Sequence, residues 1–416
     1  MDPQETLKQL AKNARAYTDY YAGRMARNAM TKAVRVNPNK VFVMTFQRTL
    51  ACNPRYIVDE LLKRYPNVEI VVAGDGIPLD EYAEEKRIRW VPRRSVQHFY
   101  EQATSRVWLD NANNCSWFPM LKKDSQLYLQ TWHGSLGLKM IDAQNQTARW
   151  LRNMDYASPL TDYLLSNSDF EDWVFRTTYW PNTPILKTGH ARNDLFFDAS
   201  AVVKAREKAF HGLSVDPSAH LALYAPTFRE QSQYSIADVD FESIAASLER
   251  RFGGAWVIAV RSHYRGKLDT DELTNRFPCV VSATTYPDIQ ELMAASEVGI
   301  TDYSSWICDY VLTGRPGFLL VPDLDEYAKH DRGFYYPLES TPFPVCLTSS
   351  DLCKAIESFD EEAYKVHAAQ YLKTLGCMED GHASARAADL IGEVLGSDGR
   401  IDLSQSAVVK NLLSPN

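Results

Sequence analysis

The sequence predicts an α/β protein of two doubly wound parallel-sheet domains facing a central cleft. Short apolar, β-branched runs alternate with helical stretches of roughly 10–15 residues, the pattern of parallel strands joined by crossover helices. The alternation occurs twice, the two series meeting near residues 190–205. The length, 416 residues, suits two or three domains at about 150 each.

Residues 1–40 read as helical. In the first series, strands are expected over 41–46, 68–73, 87–91, 106–109, 127–132, 163–166 and 185–188. An amphipathic helix is expected over 54–65, and Gly74-Asp75-Gly76 signals a turn. Ser168 followed three residues later by Glu171 opens a helix over 169–178 as a capping box. A charged helix over 201–210 leads into the second series. There, strands are expected over 220–225, 256–260, 280–282, 298–301 and 317–321. Helices are expected over 241–251, 273–277, 289–295 and 305–312, the third capped by Asp288 with Glu291 at the capping-box position. The expected units are a basic amphipathic helix (1–40), two Rossmann-like domains (41–195 and 196–385) and a helical tail (386–416).

Composition excludes several classes. With 45% hydrophobic and 24% charged residues the chain can bury ordinary cores. A net charge of −8 argues against a general nucleic-acid binder. No apolar run reaches the roughly 18 residues of a membrane span, and MDPQETLKQL is not a secretory signal. Asn114-Cys115-Ser116 and Asn145-Gln146-Thr147 are then chance glycosylation matches. The seven cysteines form no C-x-x-C and read as reduced thiols of a cytosolic protein. There is no H-E-x-x-H and no Walker A loop, and Leu79 stands where a dinucleotide fingerprint needs its third glycine.

In doubly wound sheets ligands bind outside the carboxyl ends of the strands. At one such end, Gln130-Thr131-Trp132-His133-Gly134 sends a histidine from an apolar strand into a glycine-bearing turn, with Lys139 beyond. His133 is either a general base near neutral pH or a core histidine beside an ordinary turn. In the second series, Thr227 and Arg229, then Arg261, Ser262 and His263, then Ser304 and Ser305 follow three strands. Hydroxyls, guanidinium groups and a helix start suit a phosphate; each alone could be a helix cap or a surface ion pair. Three such ends converging on one cleft favour the site.

These motifs resemble the CDP-glycerol glycerophosphotransferases, which build glycerol-phosphate chains of teichoic acids and related capsule polymers. QTWHG (130–134), GHARND (189–194), LYAPTFRE (223–230), RSH (261–263), ITDYSSWICDYVLTGRP (300–316), DLDEY (323–327) and RGFYY (332–336) occur in the family's order. The resemblance implies a GT-B-like fold, with 41–195 on the acceptor side and 196–385 binding CDP-glycerol. It also implies a membrane-linked polyol-phosphate or glycan acceptor. His133 resembles the family's base, and His263 is the second catalytic candidate, paired with Arg261 near the donor pyrophosphate. Thr227, Arg229, Ser304, Ser305 and Asp309 are expected to bind donor phosphate or nucleotide. Gly134, Lys139, Arg192, Asn193 and Asp194 are expected on the acceptor side or in support. The departures bear on the acceptor and the polyol: Ser135-Leu136-Gly137 stands where many members read Thr-Pro, His190-Ala191 where they have an aromatic-Pro pair, and Tyr264 where they have Pro.

The expected reaction is attack of an acceptor hydroxyl on the glycerol-bearing phosphorus, releasing CMP. No cofactor and no obligatory metal are expected: Asp269-Thr270-Asp271 reads as a solvated face, and Asp323-Leu324-Asp325 belongs to a motif not associated with metal. Alternatives are a ribitol-phosphate transferase using CDP-ribitol, a GT-B nucleotide-sugar glycosyltransferase, and an inactive scaffold. Residues 1–40 hold eight Lys/Arg and three acids, net +5, leaving −13 for the remaining 376. Leu7, Leu10, Ala14, Tyr17, Tyr21, Met25 and Ala29 share a helical face. Such a helix either lies on an anionic membrane or packs on the first domain. The expected location is the cytoplasm, peripherally on the inner face of the cell membrane.

Overall fold

Two parallel sheets carry the fold, as a computed structural model shows for residues 18, 20–47, 49–75, 80–112, 114–116, 118–141, 158–227, 236–262, 270–330 and 333–413. The first contains β1 (Asn37–Met44), β2 (Glu69–Gly74), β3 (Ile88–Pro92), β4 (Ser105–Asp110), β5 (Leu127–Gln130), β6 (Tyr163–Ser166) and β7 (Ile185–Lys187). Its order is β3-β2-β1-β4-β5-β6-β7. The second contains β8 (His220–Tyr224), β9 (Trp256–Val260), β10 (Val280–Ser282), β11 (Val298–Thr301), β12 (Gly317–Leu320) and β13 (Val345–Cys346), in the order β10-β9-β8-β11-β12-β13. Each order reverses direction once, at β1/β4 and at β8/β11. Those are the topological switch points where α/β sheets open a crevice.

Every expected strand forms, with ends displaced by up to four residues. β1 begins early, through Asn-Pro-Asn-Lys, a poor strand sequence. The Lys40 ammonium is buried there but reaches Glu101 at 2.7 Å and Thr104 at 2.8 Å, so the charge is paired. β5 ends at Gln130 rather than at 132, because Trp132 turns out of the strand at φ 52°. β13 escaped notice: two residues carry no readable period.

Both cores are apolar on the sheet faces, as parallel sheets require. Val41, Val43, Ile57 and Leu61 pack with Ile391 and Val409, so the C-terminal segment returns to cover the first sheet. The helix Ala383–Gly392 lies against the helix Cys52–Arg64. The predicted Ser168 cap forms, its hydroxyl accepting from Glu171 N at 3.1 Å. Glu171 closes the box one residue early, accepting from Asn167 N at 3.0 Å rather than from Ser168 N. Asp288 caps Ile289–Ala295, but Glu291 leaves the capping-box position. Buried Arg55 draws it away: the guanidinium reaches Asp288 at 2.5 Å and Glu291 at 2.9 Å, tying the two halves together.

Residues 20–33 are helical. They pack on the first domain through Met30, Val34 and buried Thr31, and Arg27 donates to Pro119 O at 3.0 Å. This is not the expected stripe. Tyr21, Met25 and Ala29 stay exposed, and Leu7, Leu10, Ala14 and Tyr17 lie outside the described residues.

Candidate active site

The exit from β5 is a turn held by two backbone N–H groups and a packed ring. Thr131 N donates to Asp110 O at 2.8 Å, and Trp132 N to the Gln130 side chain at 2.9 Å. The Trp132 ring packs among Phe175, Tyr179 and Trp180 at 5.4–6.3 Å. His133 is thereby thrown into the β1/β4 crevice. Its ring lies 4.4 Å from Phe46 and 4.5 Å from Trp132. Nδ1–H donates to Asn111 O at 2.6 Å, which leaves Nε2 as the basic nitrogen. Burial, with the charge of Arg192 added, pushes the imidazole pKa down from 6.5 to about 4, against the pull of the Asn111 carbonyl. At neutral pH the ring is an uncharged base.

From His133 the chain crosses to the other half. Leu136 and Leu138 bury in the second core. Gly137, at φ 45°, makes the bend between them. The RGFYY segment receives the crossing: Tyr336 OH donates to Leu136 O at 2.8 Å, Met140 N to Gly333 O at 2.8 Å, and Lys139 pairs with Phe334 in an antiparallel bridge. A cavity of about 220 Å³ opens beside this segment, with His133, Lys139 and Ser305 on its walls.

At the β8/β11 switch point Thr227 N donates to Asp302 Oδ1 at 2.8 Å, mirroring Phe46 N to Asn111 Oδ1 at 3.0 Å across the cleft. Ser304 and Ser305 follow, both partly exposed. Ser305 precedes the helix Trp306–Tyr310 without a side-chain capping bond, so its hydroxyl is not used up as an N-cap. Arg261 turns inward: its guanidinium donates to Ala283 O at 3.2 Å and Tyr286 O at 2.5 Å, holding the turn after β10. His263 and Arg229 lie outside the described residues.

Arg192, Asn193 and Asp309 form the joint beneath the cavity. Arg192 Nε reaches Asp309 Oδ2 at 2.8 Å, and Asn193 Nδ2 reaches Asp309 Oδ1 at 3.1 Å. Burial alone would raise the Asp309 carboxyl; Arg192 outweighs it and holds the group below the usual range. Arg192 also donates to Gly134 O, next to His133. Asp194 faces away and accepts from Ala383 N at 2.9 Å and Ser384 N at 2.7 Å, capping the helix Ala383–Gly392. Asp194→Ala should therefore lower stability by about 1 kcal/mol in urea unfolding, with kcat unchanged; a lost kcat with intact stability would show a direct role instead.

Several residues of this centre were not anticipated. Glu379 is half-buried and accepts from Asn193 Nδ2 at 2.9 Å and Asn167 Nδ2 at 3.0 Å; desolvation of its carboxyl pushes the pKa up to about 8. Asn111 enters through a backbone carbonyl, which no side-chain pattern discloses. Asp323, already named in the DLDEY motif, accepts from Tyr303 OH at 3.0 Å. No helix among the described residues is long and apolar enough to cross a membrane.

Comparison with known proteins agrees with the fold and the family resemblance. The family model for CDP-glycerol:poly(glycerophosphate) glycerophosphotransferase matches residues 26–393. A teichoic acid poly(glycerol phosphate) polymerase of Staphylococcus epidermidis is 27% identical over 86% of this chain and 51% of its own length. Its namesake in Bacillus subtilis is 27% identical over 76% and 43%. The chain thus spans about half the length of these relatives. A solved structure of the wall teichoic acid polymerase TagF superposes with a TM-score of 0.75 at 25% identity, covering 93% of this chain and 98% of that one. The two facing sheets are accordingly GT-B-like.

Proposed function

The chain belongs to the CDP-glycerol:poly(glycerophosphate) glycerophosphotransferase family, and on that premise we propose that it transfers glycerol phosphate from CDP-glycerol to a hydroxyl of a membrane-linked polyol-phosphate or glycan acceptor. CMP is released, and the product is a teichoic acid or capsule-type polymer. One observation carries the reading: His133, uncharged and with Nε2 basic, shares a cavity with Ser305 at the switch point of the opposite sheet. In the reaction, Nε2 takes the proton of the acceptor hydroxyl as its oxygen bonds to the glycerol-bearing phosphorus. The phosphoanhydride bond breaks, and CMP leaves with the bonding electrons. Thr227, Ser304, Ser305, Arg229 and His263 receive the donor phosphates and the charge that builds on them. Arg261 shapes that wall through the 283–286 turn, and Asp309 acts through Arg192 and Asn193.

The test offers the full chain CDP-glycerol, CDP-ribitol and UDP-sugars with a lipid-linked acceptor and follows nucleotide release. CMP from CDP-glycerol is the expected result. CMP from CDP-ribitol alone would change the polyol, UDP release would make the protein a glycosyltransferase, and no release would favour a scaffold.

The exposed face of the N-terminal helix supports peripheral attachment to the inner membrane surface. Tyr21 and Met25 are 42% and 73% exposed on a helix whose other face is already packed. Replacing both with serine should weaken binding to phosphatidylglycerol vesicles at least about tenfold in a sedimentation assay, since one large apolar side chain contributes about 1.5–3 kcal/mol on full burial and tenfold corresponds to about 1.4 kcal/mol. Unchanged sedimentation would make the helix purely structural.

A further inference from the structure

Besides Ser305, the cavity has a lining of different chemistry. The helix Asp169–Thr177 and the residues after it bring Phe170, Val174, Phe175 and Tyr179 to the lining, together with one carboxyl group, Glu171. Glu171 is 2% exposed. Its Oε2 is fully engaged, accepting from Asn167 N at 3.0 Å and lying 2.9 Å from His190 Nε2. Its Oε1 meets no hydrogen-bond partner among the described residues. A buried carboxyl oxygen is costly to leave unpaired, and the helix cap that Ser168 supplies does not need it.

A phosphate does not suit this wall. It brings no cationic group to the lining, and its aromatic and branched side chains offer flat apolar surface. What it suits is an uncharged group with C–H faces and hydroxyls. We propose that this end of the cavity is the subsite for the uncharged polyol or sugar ring of the acceptor, with Glu171, oriented by His190, as its hydrogen-bonding residue. The proposal rests on the transferase reading above and assigns the wall that reading leaves without a substrate. Burial pushes the Glu171 carboxyl well up; its unpaired Oε1 accepts from a hydroxyl when the group is ionised and donates to one when it is protonated. The polyol or ring then sits on the aromatic wall with its attacking hydroxyl toward His133, and the donor phosphates lie on the Ser305 side.

The experiment measures CMP release by the full chain at varied CDP-glycerol and varied lipid-linked glycerol-phosphate acceptor. Glu171→Leu should raise the acceptor KM about tenfold, the worth of one or two hydrogen bonds, while the donor KM moves less than about twofold. Glu171→Gln keeps a hydrogen-bonding group and should raise the acceptor KM by less than about threefold. An acceptor KM unchanged in the leucine variant, or a donor KM that rises as much as the acceptor KM, overturns the subsite. Val174→Leu decides the case if the leucine variant at 171 does not fold. It narrows the same wall without touching the carboxyl network and should also raise the acceptor KM selectively; no change there overturns the proposal. A wild-type chain that releases no CMP from any CDP donor refutes the transferase reading itself, an outcome separate from wild-type turnover that the variants leave untouched.

Discussion

His133→Ala is expected to lower kcat for CMP release in the presence of acceptor by about 10²–10⁴, the usual worth of a positioned general base. The fold should survive, because the imidazole leaves only one hydrogen bond behind, to a backbone carbonyl. The turn is held by Thr131, Trp132 and the Leu136 and Leu138 anchors. The pH profile gives a second, independent reading. With its pKa lowered from 6.5 to about 4, the imidazole stays a base until the pH falls through about 4. The acid limb of kcat/KM, which reports the free enzyme, should therefore lie near 4 and not near 6.5. The same shift has a stability consequence of fixed sign. A depressed folded-state pKa favours the native state above 6.5, and that contribution is lost as the pH falls toward 4. Near-wild-type turnover in His133→Ala, or an acid limb at 6.5 that disappears in the variant, would sink this account of the base.

The strands and the β5 exit were legible because they are local. Alternation, β-branched runs and a histidine followed by glycine can be read within ten residues, and doubly wound sheets put such exits on one crevice. The joint was not legible. GHARND reads as a turn with polar residues, and only the folded chain brings Arg192 to Asp309, 117 positions away, and Asn193 to Glu379, 186 away. Glu171 shows the same limit differently. Its spacing from Ser168 announced a helix start, and the helix starts there. A residue that already satisfies a local rule gives no sign of a second task in a cavity. The N-terminal helix is instructive too: an i, i+4 stripe shows that a face exists, but which face meets the protein depends on Phe99 and Pro119, far along the chain.

Arg192→Leu should be the most damaging single change at the joint. The guanidinium is buried and donates to Asp309, to the Gly134 carbonyl and to Cys52 Sγ. Taking one partner from a buried pair typically costs about 3–5 kcal/mol, because the remaining charge is stranded. Against a total of about 5–15 kcal/mol, that brings the chain close to unfolding. Activity should fall as well, since the freed Gly134 carbonyl adjoins His133. Arg192→Lys should rescue little: an ammonium on a flexible stem cannot hold carboxylate, carbonyl and thiol at once. The origin of the loss can be separated from lost packing. In the wild type the lowered Asp309 pKa contributes stability above its usual 3.8 that is lost on acidification. Without Arg192, the largest opposition to burial is gone and the carboxyl pKa rises, so the variant should gain stability relative to wild type as the pH falls. Adding Asp309→Asn should recover part of the loss at neutral pH, because no charge is then left to strand. Urea unfolding of the two single variants and the double across pH measures all three effects. A loss below about 1 kcal/mol for Arg192→Leu, no larger than that of an ordinary surface pair, would show that the joint is not held by this ion pair.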